Sequence, residues 1–211
     1  MRLPERSFLN NRLELSDDLL RLPPLPRDFY LRDTPSVARE LLGKGLVIHA
    51  SEPLVVQIVE VEAYLGFKDE ASHAFRGLTK RNWPMFESGG TCYVYLSYGV
   101  HYCMNVVTEK KGVGEAVLLR GGLAILGQEK MLKNRGIAPG RSAHLLDGPG
   151  KLTRALGVNL RHNGLHFDQD DFKLVDLGIK ISADQVVRSQ RVGISKAQAL
   201  ELRFFVTPRA R

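Results

Sequence analysis

Five strand-like segments crowd into residues 45–120, helical segments are scattered among the strands instead of alternating with them, and no internal repeat appears. These observations predict an α+β fold with a mostly antiparallel sheet. Residues 1–26 read as an N-terminal extension: a short amphipathic stretch, LELSDDLLRL, stops at LPPLP, where Pro23, Pro24 and Pro26 end any helix. The main domain is expected over 27–211, with its packed part beginning near Phe29. Thr34 and Pro35 read as the N-cap and first helical residue of SVARELL, which Gly43 ends. Strands are then expected at GLVIHA (45–50), VVQIVEVEAYL (55–65), TCYVYLS (91–97), VHYCMNVVT (100–108) and EAVLLR (115–120). LAILGQEKMLKNRG (123–136) reads as a helix despite Gly127, and GPGKLTRALG (148–157) as a second, short one. FKLVDLG, QVVRSQRVGI and ELRFFVTP read as later strands.

Composition narrows the function classes. The 211 residues are 44% hydrophobic and 25% charged, which excludes a disordered chain, a collagen or a coiled coil. No apolar run approaches the roughly 18–20 residues of a membrane span. The start, MRLPERSFLNN, has no apolar core of a signal peptide. Two cysteines, Cys92 and Cys103, cannot build a disulfide framework, so reduced thiols in a cytoplasmic, nucleoid or nuclear protein are expected rather than secretion. His73, His101, His144 and the cysteines fit no standard zinc spacing, and no metal is expected.

Lys and Arg exceed Asp and Glu by 30 to 23, for a net charge of +7. The excess is local. Residues 1–119 are balanced, whereas Arg120, Lys130, Lys133, Arg135, Arg141, Lys151, Arg154 and Arg161 meet only Glu129 and Asp147. After an acidic stretch at 162–187, the last 24 residues are basic again. Such sidedness suits a surface that tracks phosphates, and equally suits solvated helix faces and a basic tail.

Two segments carry candidate chemistry. Read with period 2, the strand at 55–65 puts Val56, Ile58, Glu60, Glu62 and Tyr64 on one face, apolar first and then acidic and phenolic. That pattern fits a strand leaving the core for a cleft; a solvated edge strand shows it too. Four of the six tyrosines lie between Tyr93 and Tyr102, in CYVYLSYGVHYCMN. Gly99 permits a tight hairpin there and leaves Tyr98 at its tip. An aromatic at that position on a basic protein suits a wedge between stacked bases, with ordinary sheet packing as the alternative.

The runs IVEVEAYLGFKDEASHAF (58–75), RNWPMF (81–86), YVYLSYGVHYCMN (93–105), EAVLLR, DGPGKL (147–152) and RVGI…RFFV (191–206) resemble the alkyladenine (3-methyladenine) DNA glycosylase family. This is the type without a helix-hairpin-helix element, found in mammals and many bacteria. The resemblance covers roughly 27–208 and implies one domain with a curved antiparallel sheet, short surrounding helices and a protruding hairpin. It implies a monofunctional enzyme of base excision repair, acting as a monomer on double-stranded DNA that contains damaged purines, with neither metal nor cofactor. Glu62 falls on the family's general base. Arg120 and the backbone near Val192–Ile194 fall where the attacking water is positioned. Tyr64, His73 and Tyr95 match the walls around the extruded base, Tyr98 the intercalating wedge, and Asn105 the residue that disfavours guanine. Lys151, Arg154, Arg141 and Arg191 are expected on the DNA backbone. Arg120 is expected to keep the Glu62 pKa from rising. Lys68 and Lys80, the lysines near the motif, receive no lyase role from the register. A catalytically silent module that binds damaged DNA or RNA on the same fold is the rival; the intact Glu62 argues against it.

Overall fold

All strand pairings among the described residues are antiparallel, and the sheet runs in the order β3-β4-β5-β2-β1-β7-β6, with β9 added against β2 and β8 against β9. The strands are β1 (Gly45–His49), β2 (Pro53–Tyr64), β3 (Cys92–Ser97), β4 (His101–Thr108), β5 (Glu115–Leu126), β6 (Asp168–Gln169), β7 (Phe172–Val175), β8 (Val186–Ser189) and β9 (Arg203–Val206). This computed structural model describes residues 17–49, 52–140 and 144–207. The sheet curls, and the fold is α+β as expected. The helices that lie wholly within the described residues are α1 (Arg27–Tyr30), α2 (Thr34–Leu41), α3 (Gln128–Arg135) and α4 (Pro149–Leu156). None is long and apolar enough to cross a membrane.

Helix α2 packs on β2 and β5, and α4 on β4, β5 and α3, so these short helices close one face of the sheet. The core between them holds Val37, Leu41, Val56, Ile58, Met104, Leu119, Leu152 and Phe204. On the N-terminal side, residues 17–21 are helical and Leu19, Leu20 and Leu22 pack on Val47, Val55 and Val175, while Leu25 is buried.

Three local expectations are corrected. The cap of α2 is Asp33, one residue before Thr34, because the Asp33 carboxylate accepts the Ser36 N–H at 3.0 Å. The Thr34 hydroxyl is engaged elsewhere, with Thr108 at 2.7 Å and Glu115 at 2.6 Å. Residues 123–126 are strand, not helix: β5 continues through Leu126, with Leu123 and Ile125 exposed and Ala124 packed on the core, a period of two. Gly127 makes the break into α3, at φ 78. Beyond Ser189, the expected strand QVVRSQRVGI stops, and Arg191–Ile194 lie in a loop.

The most consequential difference lies in β2. Its register against β5 runs Ile58↔Gly122, Glu60↔Gly121 and Val61↔Leu119, which leaves Val59 on β2 and Arg120 on β5 without a direct partner. The irregularity reverses the parity of side chains. Leu54, Val56 and Ile58 face the core before it, and Val61 and Ala63 face the same core after it. Glu60, Glu62 and Tyr64 therefore share the opposite face, and the strand does not carry one unbroken face from core to cleft. β-bulges re-aim side chains in this way next to functional sites.

A methyl group added at Gly127 would lie 2.5 Å from Leu54 Cδ2 and 2.6 Å from the Pro53 carbonyl, at a backbone angle that already disfavours L-residues. Gly127→Ala is expected to cost about 2–4 kcal/mol from left-handed strain and overpacking. At about 2–4 °C per kcal/mol for a chain of this size, calorimetry should show a fall in Tm of roughly 5–15 °C.

Candidate active site

The sheet register builds the site. Tyr93 pairs with Asn105, Asn105 with Leu118, and Leu118 with Glu62, so these four residues form one row across β3, β4, β5 and β2. Side chains two residues along a strand share its face, which adds Tyr95, Cys103, Arg120 and Tyr64 to the row. Together with the loop after β8 they surround a cavity of about 510 Å³ on the side of the sheet away from the main core.

Glu62 lies behind this lining, in contact with Tyr64, Arg120 and Val192, which border the cavity, and has 0% of its own surface exposed. One carboxylate oxygen accepts the Val192 backbone N–H at 2.7 Å and faces Arg120 Nε at 3.4 Å; the other accepts the Tyr64 hydroxyl at 2.9 Å. Burial pushes its pKa up. Arg120, the Val192 N–H and Tyr64 pull it down, Glu60 adds to the rise, and the balance lies above the ordinary value of 4.5. The expectation that Arg120 would prevent a rise is thus corrected: desolvation of the buried carboxylate outweighs the Arg120 charge, which is shared. Arg120 Nε lies closer to Glu60 Oε1, at 2.9 Å, than to Glu62. The same Glu60 oxygen also accepts Arg203 Nε at 2.8 Å.

The aromatic wall is joined by contacts rather than by stacking. His73 and Tyr95 meet edge to face, with centroids 4.5 Å apart at 70°. His73 Nδ1 lies 3.0 Å from the Tyr93 hydroxyl, and Tyr93 is tilted 30° against Tyr95 at 5.4 Å. Loss of hydration on the cavity side, then the Arg81 charge, lowers the His73 pKa below 6.5, so the ring is neutral near pH 7. Burial raises the Tyr93 phenol to about 12. The buried Asn105 amide donates to the Tyr93 carbonyl at 3.0 Å, which fixes its side chain against β3.

Tyr98 stands at the tip of the β3–β4 hairpin with 90% of its surface exposed. Tyr98 and Gly99 have φ values of 49° and 71°, and the Val100 N–H donates to the Ser97 carbonyl at 3.0 Å. Positive φ at both central residues is the pattern of a type I′ turn, natural for Gly99 and strained for a tyrosine.

The expected backbone contacts separate. Lys151 is half-buried and its ammonium sits 2.7 Å from Asp147, which His144 also contacts. Arg154 is exposed, with Nε 3.4 Å from the Asn134 carbonyl. Arg141 lies outside the described residues. Arg191 is a correction: its side chain has no exposed surface and forms a buried ion pair with Asp69 while lying over the Tyr64 ring, so it is not available to a phosphate.

Some residues of the site were not anticipated. Tyr93 orients His73, Arg203 shares Glu60 with Arg120, Asp69 holds Arg191, and Arg81 and Lys196 line the cavity. Asn82 is buried and donates to the His73 and Gly77 carbonyls at 2.8 and 3.0 Å, which fixes the loop that carries His73. Its only sequence signal is the motif that contains it. Lys68 and Lys80 do not line the cavity. Among the described residues no three His, Cys, Asp or Glu side chains group as metal ligands.

A family model described as methylpurine-DNA glycosylase (MPG) matches residues 28–210. A protein of Chlorobium phaeobacteroides (strain BS1) named "Putative 3-methyladenine DNA glycosylase" is 44% identical over 185 residues, 87% of this chain and 92% of that one. Proteins with the same name from Rhodopseudomonas palustris (strain BisB18) and Methanoculleus marisnigri are 43% and 44% identical, over 86% of this chain and 86% and 94% of theirs.

The raised Glu62 pKa carries a stability signature. A folded-state pKa above the unfolded one means stability that is fully present below about pH 4.5 and lost as pH rises through the folded value. Glu62→Gln, which mimics the protonated acid, is therefore expected to gain Tm relative to the wild type between pH 4.5 and neutrality. Parallel melts across that range check it; a constant difference refutes the assignment.

Proposed function

The chain belongs to the methylpurine-DNA glycosylase family and is a hydrolase of N-glycosyl bonds in DNA, and we propose that it extrudes alkylated and deaminated purines from duplex DNA and releases them with a water activated by Glu62. The observation that carries this reading is a fully buried carboxylate held by Val192, Tyr64 and Arg120, three residues that line an aromatic cavity. The substrates are the 3-methyladenine, 7-methylguanine, hypoxanthine and ethenoadenine class. The site of action is wherever the DNA lies, the cytoplasm and nucleoid or a nucleus, and the enzyme acts as a monomer without metal or cofactor.

A base inside the stack keeps its glycosidic bond out of reach, so extrusion comes first and costs a few kcal/mol. Tyr98 offsets part of this by filling the gap, while Lys151, Arg154 and Arg141 hold phosphates beside it. The extruded base enters between Tyr64, His73 and Tyr95, each contact returning about 1–3 kcal/mol. Asn105, on β4 and tied by its amide to the Tyr93 carbonyl on β3, narrows the pocket against the exocyclic amine of guanine. 3-Methyladenine and 7-methylguanine carry positive charge, which electron-rich rings favour, and their glycosidic bonds are already weakened.

Chemistry then needs a base. Glu62 takes a proton from water as its oxygen bonds to C1′; the electrons of the C1′–N bond leave with the purine, and an abasic site remains. A carboxylate whose pKa lies above 4.5 is the stronger base for this step. A neutral base such as hypoxanthine departs as a poorer leaving group and requires a proton of its own.

Duplexes carrying each lesion, cleaved with alkali at abasic sites, test the reading. Wild-type enzyme should release 7-methylguanine at a single-turnover rate that rises with pH and levels off, with a midpoint above 4.5. Glu62→Gln should lose at least about a thousandfold in rate and keep lesion binding. Lesion binding by the wild type with no release would identify a silent binding module instead. Borohydride should trap no covalent adduct. Tyr98→Ser should slow release from paired duplexes by about tenfold or more while sparing single-stranded lesions, because stacking in the gap is lost; equal effects on both would make Tyr98 a packing residue.

A further inference from the structure

We propose that the buried Asp69–Arg191 pair is the positioning element that holds both neutral hydrogen-bond donors, the Val192 amide and the Tyr64 hydroxyl, on the Glu62 carboxylate. The proposal rests on the reading of Glu62 as the base, and it adds two positioning residues that do not themselves touch the substrate.

The connections are short and direct. Neither side chain of the pair has exposed surface. Arg191 grips both carboxylate oxygens of Asp69, one through Nη2 at 2.8 Å and the other through Nη1, and Nη1 also donates to the Ala63 carbonyl at 3.0 Å. Asp69 accepts the Leu65 and Ala71 amides at 3.2 and 3.1 Å, which ties the chain just after Tyr64 to the same centre. The guanidinium carbon lies 4.6 Å from the centroid of the Tyr64 ring, the ring whose hydroxyl donates to Glu62. One residue further along the chain, the Val192 amide donates to the other oxygen of Glu62.

The loop that carries Val192 needs such an anchor. Between Ser189 and Arg203 the chain has neither strand nor helix, and its other backbone tie to β2 is the Ala63 N–H to the Leu202 carbonyl, ten residues past Val192. A bidentate Arg–carboxylate pair fixes distance and plane together, which a packed apolar contact would not. Buried ion pairs are weak contributors to stability, and positioning is the better account of this one.

Asp69→Asn and Arg191→Lys test it, with Glu62→Gln alongside. The groups facing Glu62 are Tyr64 and Glu60 on β2, Arg120 on β5, Cys103 on β4 and the loop amide, with Arg203 behind Glu60 and Arg191 behind Tyr64. Single-turnover release of 7-methylguanine is measured against pH, and the Val192 amide resonance is titrated in parallel because it needs no turnover. Both variants are expected to lose about 10- to 100-fold in rate at saturating enzyme, as misplaced groups do. Their pH midpoints are expected to move up, because donors that stabilise the carboxylate drift away.

Charge alone predicts otherwise. Asp69→Asn with the donors still in place would leave Arg191 uncompensated and move the midpoint down, and Arg191→Lys would leave it unchanged. A midpoint that stays or falls in either variant overturns the proposal. So does failure of both variants to fold, since the pair would then be a scaffold. Substantial release by Glu62→Gln would instead remove Glu62 as the base, whatever the pair does.

Discussion

A carboxylate stripped of water has to be kept charged, and the half of the fold around the cavity is organised by that requirement. Removing an ion from solvent costs several kcal/mol even after the protein relaxes. Glu62 is compensated from three directions, by a bulged strand through Arg120, by a loop amide through Val192 and by its own strand through Tyr64. The compensation is incomplete, and the pKa stays raised. In the proposed role of Glu62 as base that residue of imbalance is useful: full neutralisation would make a more stable carboxylate and a weaker proton acceptor. Glu60 serves this balance by drawing Arg120 and Arg203 toward itself, which leaves the cation near Glu62 without giving it over entirely.

The paired irregularity at Val59 and Arg120 makes the arrangement compatible with a core. Without it, the parity that buries Val56 and Ile58 would point Glu60, Glu62 and Tyr64 into the same apolar layer. With it, one strand serves two environments: Val61 and Ala63 continue the core while Glu60, Glu62 and Tyr64 turn to the other face, where Tyr64 lines the cavity. The bulge on β5 falls at Arg120 itself, so the residue that departs from the ladder is also the one whose charge the site needs.

This explains what could and could not be read from the chain. The hairpin was legible because a tight turn demands backbone freedom at a defined place, and Gly99 supplied it beside a tyrosine. The grouping of Glu60, Glu62 and Tyr64 was legible because the bulge lies before them and leaves their period intact. The bulge was not, since the segment 55–65 reads well with a plain period of two and no residue in it announces an extra one. Leu123 to Leu126 looked helical because a short apolar run joined to a helix hides its period, and only Gly127 marks the join. Arg191 was misplaced for a different reason. Charge in a sequence does not say which partner meets it, and Asp69 is more than a hundred residues away.

The fate of Arg191 bears on what the net charge of +7 does. Arg120, Arg191 and Arg203 are engaged with buried or half-buried carboxylates. Cations held this way shape the site and contribute little field to an approaching phosphate. Attraction to a polyanion then falls to exposed cations such as Arg154, and exposed charges act through a medium that salt screens within about 8–10 Å. The cavity works on other terms. On the proposed reading its walls of tyrosines and His73 attract a cationic purine at short range. Binding to DNA and choice of base, on that reading, rest on different residues and different physics. In the proposed function they meet at Tyr98, an exposed ring on a strained turn that also borders the cavity.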